Sequence, residues 1–309
     1  MQLYYPLSIY WKKKFGFKVW KIPLDAGFDC PNRDGTISST GCIFCNEQGS
    51  GTGLNLKSIS IKDQYNLFRQ KLILKHGPVK FAAYLQSFSN TYCTPARLES
   101  VLQKLIGLKD LAVLCIGTRP DCLDKEKINI LASFPCEEIW LDIGLQSSCD
   151  ETLKRINRGH LVRDFSESCQ LAASEGIKVC AHVIAGLPGE RRSHFMKTIN
   201  FLNNEPIHGI KIHNLYVCRN TPLARMFEMK RYLPLKMEEY ATWVALALAR
   251  LRSDIIIHRL TGDPGPGELV APEWAAGKNS IINEIKMTMV RKNLWQGKAW
   301  LNSTNRENI

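Results

Sequence analysis

The loop Cys30-Pro-Asn-Arg-Asp-Gly-Thr-Ile-Ser-Ser-Thr-Gly-Cys42-Ile-Phe-Cys45 limits what this chain can be more than any other stretch. Its first two cysteines lie twelve positions apart and its last two lie three apart. Three thiolates from one short loop can hold three irons of a cubane [4Fe–4S] cluster. The fourth iron then lacks a protein ligand, as a catalytic zinc keeps one position open. A structural zinc or cluster wants four ligands. The Cys42-x-x-Cys45 pair alone also reads as half a zinc site or a redox dithiol. A zinc reading would take its fourth ligand from Cys93 or a histidine.

The chain has 309 residues, enough for one large α/β domain with extensions or for two small domains. Its eleven cysteines are odd in number, and Cys115, Cys136, Cys180 and Cys218 sit in apolar runs, as reduced core thiols do. No apolar run is long enough to span a membrane, and the N-terminal lysines precede no apolar signal region. The expected setting is cytoplasmic, or else an organelle matrix, with no membrane partner. The net charge of +12 is uneven: five come from the first 21 residues and four from the last 32, leaving +3 for the rest. In residues 1–22 the lysines alternate with Tyr10, Trp11, Phe15, Phe17 and Trp20, a pattern that suits a phosphate backbone and stacked bases. It equally suits a basic flank whose rings pack on the domain.

Downstream, apolar runs alternate with helical periodicity. Strands are expected at Val19–Leu24, Val79–Leu85, Leu111–Gly117, Glu138–Leu145, Ile177–Ile184, Gly209–Val217 and Ile255–His258. Helices are expected at Ser60–Lys75, Pro95–Ile106, Asp124–Ser133, from Asp150, from Arg163, and at Glu190–Leu202, Met237–Arg252 and Asn279–Leu294. The glycine-rich stretch Asn46–Asn55 reads as a continuing loop. Near-continuous apolar strands alternating with helices specify a covered parallel sheet. The fold class is therefore α/β, a partial (β/α)6-type TIM barrel over residues 23–262. It has a basic aromatic extension before it and a linker and helix at 263–309.

In such a barrel, functional groups gather at the C-terminal strand ends. Those ends carry Gln86-Ser87, Gly117-Thr118-Arg119-Pro120-Asp121, Gly144-Leu145-Gln146-Ser147, Gly186-Leu187-Pro188-Gly189-Glu190 and His258-Arg259-Leu260-Thr261-Gly262. Together with the cysteine loop they describe one polar rim. Lys211 and His213 share a strand face by the two-residue period. Inward-facing Lys and His are costly without a role, so both are candidate catalytic residues in contact with substrate. Asp121 reads as a cap for the next helix, and His182 as a core histidine.

On these residues the chain resembles the radical S-adenosylmethionine (SAM) superfamily. The long first cysteine gap is similar to that of an Fe–S oxidoreductase subfamily related to the catalytic subunit of elongator. The likeness runs through Cys115-Ile-Gly-Thr-Arg-Pro-Asp-Cys122, Thr152-Leu-Lys-Arg-Ile-Asn-Arg-Gly-His160, Cys180-Ala-His-Val-Ile-Ala-Gly-Leu-Pro-Gly-Glu190 and His258-Arg-Leu-Thr-Gly262.

The resemblance implies that Cys30, Cys42 and Cys45 ligate a [4Fe–4S] cluster and that the open iron chelates SAM. It implies that Phe44, Gly186 and Leu187 line the adenine, and that Gln146 with Arg155 or Arg158 contacts ribose and carboxylate. Gln86 and Ser87 replace the usual glycine-rich turn that takes the SAM amine. Asp142 stands where a glutamate is expected. The implied activity is reductive SAM cleavage to a 5′-deoxyadenosyl radical, with an external electron donor such as flavodoxin or ferredoxin. The implied substrate is RNA, in maturation of the tRNA wobble-uridine side chain. Alternatives are a radical SAM enzyme acting on a small metabolite and a non-catalytic zinc or Fe–S RNA-binding protein.

Overall fold

The computed structural model describes residues 2–46, 49, 58–77 and 79–301. Apart from Asn46 and Gly49, the expected glycine-rich loop to Asn55 lies outside the described residues. Seven strands, β1 (Val19–Leu24), β2 (Lys80–Leu85), β3 (Leu111–Thr118), β4 (Glu138–Gln146), β5 (Lys178–Ala185), β6 (Gly209–Asn214) and β8 (Ile256–Arg259), form one parallel sheet in chain order. The remaining two, β7 (Val217–Cys218) and β9 (Leu269–Ala271), pair antiparallel as a separate ribbon. The large sheet curls into a partial barrel. Lys21 on β1 comes within 3.6 Å of Asp142 on β4, and Lys211 on β6 within 3.0 Å of Tyr84 on β2.

Local sequence explains the helices on the outer face. Ser60, Thr94 and Asp124 cap α2 (Ile61–His76), α3 (Pro95–Gln103) and α4 (Lys125–Ala132) with side-chain oxygens, and Pro95 opens α3 where no N–H is needed. Then follow α5 (Asp150–Arg155), α6 (Val162–Ser174), α7 (Arg192–Asn203), α8 (Pro222–Glu228), α9 (Met237–Arg250) and α10 (Lys278–Arg291). Their apolar faces and the outward residues of the sheet (Ile22, Phe81, Leu114, Leu141, Val179, Ile210) make the principal core. The burial of this two-layer interface is the main stabilising term.

The N-terminal stretch is the barrel's floor. The chain enters beside β8, where Ile257 N–H donates to Tyr5 C=O at 2.8 Å, then crosses to β1 as α1 (Leu7–Phe15). Trp11 is only 2% exposed and packs with Phe15, Val19, Val113, Trp140 and Ile256 at the barrel floor. Glu138, at the start of β4, is buried there. It accepts from Trp11 Nε1 at 3.1 Å and from the Tyr10 hydroxyl, and pairs with Lys14 at 3.3 Å and Lys178 at 3.7 Å. Trp20 stacks on His76 beneath Lys18. Of the rings expected to suit bases, Phe17 stands most open, at 54% exposed.

The strand expected at Gly209–Val217 divides. Asn214 Oδ1 accepts from Gly262 N–H at 2.7 Å and from the Thr261 hydroxyl at 3.0 Å, which ends β6. The chain then leaves the sheet to form the β7–β9 ribbon. With α8 this ribbon covers the C-terminal mouth through Ile43, Leu153, Ile184, Leu187, Leu215 and Leu223.

Candidate active site

The cysteine loop follows β1 and lies over the C-terminal strand ends. Asparagines hold it in place. Asn32 Nδ2 donates to Asn157 C=O at 2.5 Å, and Asn157 Nδ2 donates to Gly41 C=O at 2.7 Å. Ile43 is pinned by backbone bonds to Ile156 and Leu223. The segment Ile156–His160 is thus a strap for the loop. Gly159, at φ +75°, is required there, because a Cβ would fall 2.8 Å from Ile37 and 3.0 Å from Asn32 Oδ1.

Donors surround the sulfurs. Asn32 Nδ2 lies 3.5 Å and Arg158 Nη1 3.6 Å from Cys42 Sγ, and Arg33 Nη1 lies 3.9 Å from Cys45 Sγ. Burial first, and then the neighbouring Cys42, pushes the Cys45 thiol up to about 11. Cys30 is raised by burial, against the pull of Arg119 and Arg158. The three cysteines are thus close enough to feel one another's charge. Among the described residues, however, the group whose ligand atoms all lie within 4.8 Å of one another is Asp142, Cys180 and His258, not this trio. Four-coordinate zinc wants its sulfurs roughly 3.8 Å apart, given Zn–S bonds of about 2.3 Å. In a cubane each thiolate binds a separate iron, so the three sulfurs need not converge on one point.

The rim residues occupy distinct stations. Arg158 is buried and also donates to Gly144 C=O at 2.9 Å; His160 Nε2 approaches the same carbonyl at 3.1 Å. Gly144 leaves room for both side chains, since a Cβ there would lie 2.5 Å from Arg158 Nη2 and 2.6 Å from Gln146 Nε2 and would displace them. Arg155 instead donates to Pro188 C=O at 3.1 Å and packs against Gly189. The Gly186 carbonyl takes the Tyr232 hydroxyl at 3.0 Å, Leu187 is buried, and Phe44 packs against the same apolar cap. Ser87 Oγ is buried with no hydrogen-bond partner among the described residues, a vacancy suited to a polar ligand group. Gln86 continues β2's line, its N–H bonded to Leu24 C=O at 3.2 Å. Glu190 accepts from the Ser147 hydroxyl, its other oxygen has no hydrogen-bond partner among the described residues, and burial raises its pKa.

Asp121 is not a helix cap: Asp124 fills that role. Asp121 holds Arg119 bidentately at 2.9 and 2.8 Å, and Arg119 Nη1 donates to Arg158 C=O at 2.7 Å. Arg119 is 2% exposed; burial opposes its charge, but the Asp121 pairing outweighs that and raises its pKa. Arg119 and Asn32 support the site and escaped selection from sequence, although both stand in the motif strings quoted above.

Below the rim, Lys211 and His213 face the barrel interior. Lys211 Nζ lies 2.6 Å from Asp142 Oδ2, so the shorter aspartate does reach it. His213 lies against His182, with ring centroids 5.6 Å apart. His182 is lowered to about 4, by burial first and then by Lys211. It is therefore a neutral imidazole in a polar layer rather than part of an apolar core.

Residues 35–202 match the Radical SAM superfamily, and residues 207–291 the Radical_SAM C-terminal domain. The uncharacterized protein YtqA of Bacillus subtilis is 34% identical over 297 residues, 96% of this chain and 92% of that protein. The tRNA uridine(34) acetyltransferase of Methanocaldococcus infernus is 33% identical over 130 residues, 41% of this chain and 24% of that protein. The solved structure of Methanocaldococcus infernus Elp3 with residues 1–46 deleted superposes with a TM-score of 0.70 at 19% identity, covering 90% of this chain and 64% of that one, and shows the same fold. Among the described residues, no helix is long and apolar enough to cross a membrane. With a family match that takes in Cys42, Cys45 and four of the barrel strands, and a full-length relative at 34% identity, this chain belongs to the Radical SAM superfamily and is an enzyme whose cofactors are a [4Fe–4S] cluster and S-adenosylmethionine.

Proposed function

We propose that this enzyme modifies RNA, acting on the side chain of the wobble uridine in tRNA. Cys30, Cys42 and Cys45 would hold the cluster. Ser87, Gln86, Gln146 and Arg155 line the rim where SAM would bind, with Phe44, Gly186 and Leu187 on its adenine side. The bound cluster and SAM supply one-electron reductive cleavage of SAM to a 5′-deoxyadenosyl radical. The electron would come from a flavodoxin- or ferredoxin-type donor. Arg158 and Arg119 hold positive charge against the sulfurs, and α1 closes the opposite end of the barrel to water. Lys211 and His213 would meet the substrate from below.

The observation that carries the tRNA reading is the match to a tRNA uridine(34) acetyltransferase across 130 residues of this chain. The net charge of +12 supports it. The test is nucleoside mass spectrometry of total tRNA incubated with reconstituted enzyme, SAM and reductant. A mass change confined to uridine-34-bearing fragments is expected. An unchanged digest, with SAM cleaved equally with or without tRNA, would move the substrate to a small metabolite. Deleting the basic N-terminus would remove the barrel floor, so RNA binding there is probed instead with Lys12→Glu and Lys13→Glu, two exposed lysines.

A further inference from the structure

The barrel interior holds more positive charge than its surroundings balance. Lys21 and Lys211 face one carboxylate, Asp142, at 3.6 and 2.6 Å. Arg259, which also borders the chamber, shares Asp263 with the half-exposed Lys278, at 3.1 and 2.8 Å. The other lining groups are neutral: Tyr84, Cys115, Cys180 and the imidazoles of His182, His213 and His258, which burial first, and then the nearby cations, keep unprotonated. Within the chamber, Lys21 and Lys211 exceed Asp142 by one positive charge.

The polar atoms are also unfilled. Both ring nitrogens of His258 are buried without a hydrogen-bond partner among the described residues, and the other contacts are long: Lys21 Nζ reaches Asp142 Oδ2 only at 3.6 Å and lies over the Tyr84 ring, and His182 Nε2 faces Asp142 Oδ1 at 3.7 Å. A buried ammonium whose carboxylate stands beyond hydrogen-bond length is costly, and a fold tolerates it where something else completes it. The space is not sealed: the Lys21 and His182 side chains remain 21% and 18% exposed although both lie on the inner face of the sheet.

We propose that this chamber binds a carboxylate on the substrate, with Lys21 and Lys211 as its counter-charges and His182 or His258 as a neutral N–H donor. One carboxylate supplies the single negative charge that is missing. A phosphate monoester would bring nearly two. A divalent metal on Asp142, Cys180 and His258 would add a third cation beside two ammonium groups. The chamber lies directly below the cysteine loop. Asp142 is two residues, about 6.7 Å of strand, beneath Gly144, whose carbonyl takes the same guanidinium that touches Cys42. A carboxylate anchored at the lysines leaves its carbon chain pointing up the barrel toward that loop. The inference rests on the chamber alone and holds whether the carboxylate is carried by a nucleoside or by a small metabolite.

The test uses the full chain and acetate as the probe, at constant ionic strength, with thermal midpoints and 15N spectra of the histidine side chains. Acetate should raise the midpoint saturably and shift the His182 and His258 resonances, and chloride should do neither. Lys21→Met should be as stable as the parent or more so without acetate, because it removes an unbalanced charge, and should lose the acetate response. A purely structural Lys21 gives the opposite sign, a destabilised variant. That result, the absence of any acetate-specific shift in the parent chain, a response to inorganic phosphate in place of acetate, or retention of stoichiometric Zn2+ would each overturn the proposal. With RNA carrying or lacking a carboxylate-bearing uridine as competitor, displacement of acetate identifies the nucleoside source, and failure to displace it leaves the small-molecule source.

Discussion

Replacing Arg158 with leucine should make the cluster harder to reduce. Its guanidinium stands 3.6 Å from Cys42 Sγ, is buried, and touches Gly144 C=O with its other terminal nitrogen. Two unit charges at that separation interact by about 5 kcal/mol at an effective dielectric of 20. An added electron spreads over the whole cluster, and the guanidinium charge spreads over three nitrogens. A third to a half of the full term, about 1.5–2.5 kcal/mol, is therefore the expected differential. At 59 mV per tenfold for a one-electron couple, that is a fall of roughly 65–110 mV. The assay is a potentiometric titration followed by electron paramagnetic resonance on reconstituted Arg158→Leu and Arg158→Lys proteins. The lysine variant should recover part of the shift, because it restores charge without the fork. The fold should survive, since His160 still serves the Gly144 carbonyl. A midpoint unmoved in the leucine variant, or moved upward, would refute the assignment of Arg158 to the sulfurs.

Other expectations follow from the same geometry. Asp121→Asn leaves Arg119 buried with a neutral partner, and should cost about 2–3 kcal/mol in a urea titration and lower iron retention. Gly189→Ala puts a Cβ at φ +80° and 2.1 Å from Arg155 Nη1, so Arg155 must release Pro188; a loss of about 1–2 kcal/mol is expected. Stability should fall as pH drops below the free-histidine value, because the unfolded chain then binds protons that the folded one refuses. His182, held at about 4, contributes at most about 3 kcal/mol of this between roughly pH 6.5 and 4, and nearer 2 after screening at its partial exposure. His182→Gln should flatten that part of the urea-midpoint profile, and an unchanged slope would remove His182 as its source.

Parallel strands buried on both faces are visible as apolar runs, so the sheet could be read from sequence almost strand by strand. Its floor could not. Leu7–Phe15 has no side-chain cap and carries Lys12, Lys13 and Lys14 in its last turn, so its charge obscured a helix that buries Trp11 and Phe15. The C-terminal ribbon was hidden for another reason: Asn214 ends β6 through contacts with residues some fifty positions away, which no local pattern encodes. The cysteine spacing announced its chemistry because ligand loops are local. The supporting arginines were legible as residue types and not as partners, since Arg119 meets Arg158 only through the fold. Lys21 could have been found. The two-residue period puts it on the inner face with Val19, but it stood in a lysine-rich run and was read with that run.

The measurement closest to the central claim is 5′-deoxyadenosine formation by anaerobically reconstituted protein with SAM and reductant, beside Cys45→Ala. Four irons and four sulfides per chain and reductant-dependent product are expected, with cluster and product both lost in the variant. Parent protein carrying a full cluster but making no product, or product that persists when Cys45 is removed, would contradict that claim.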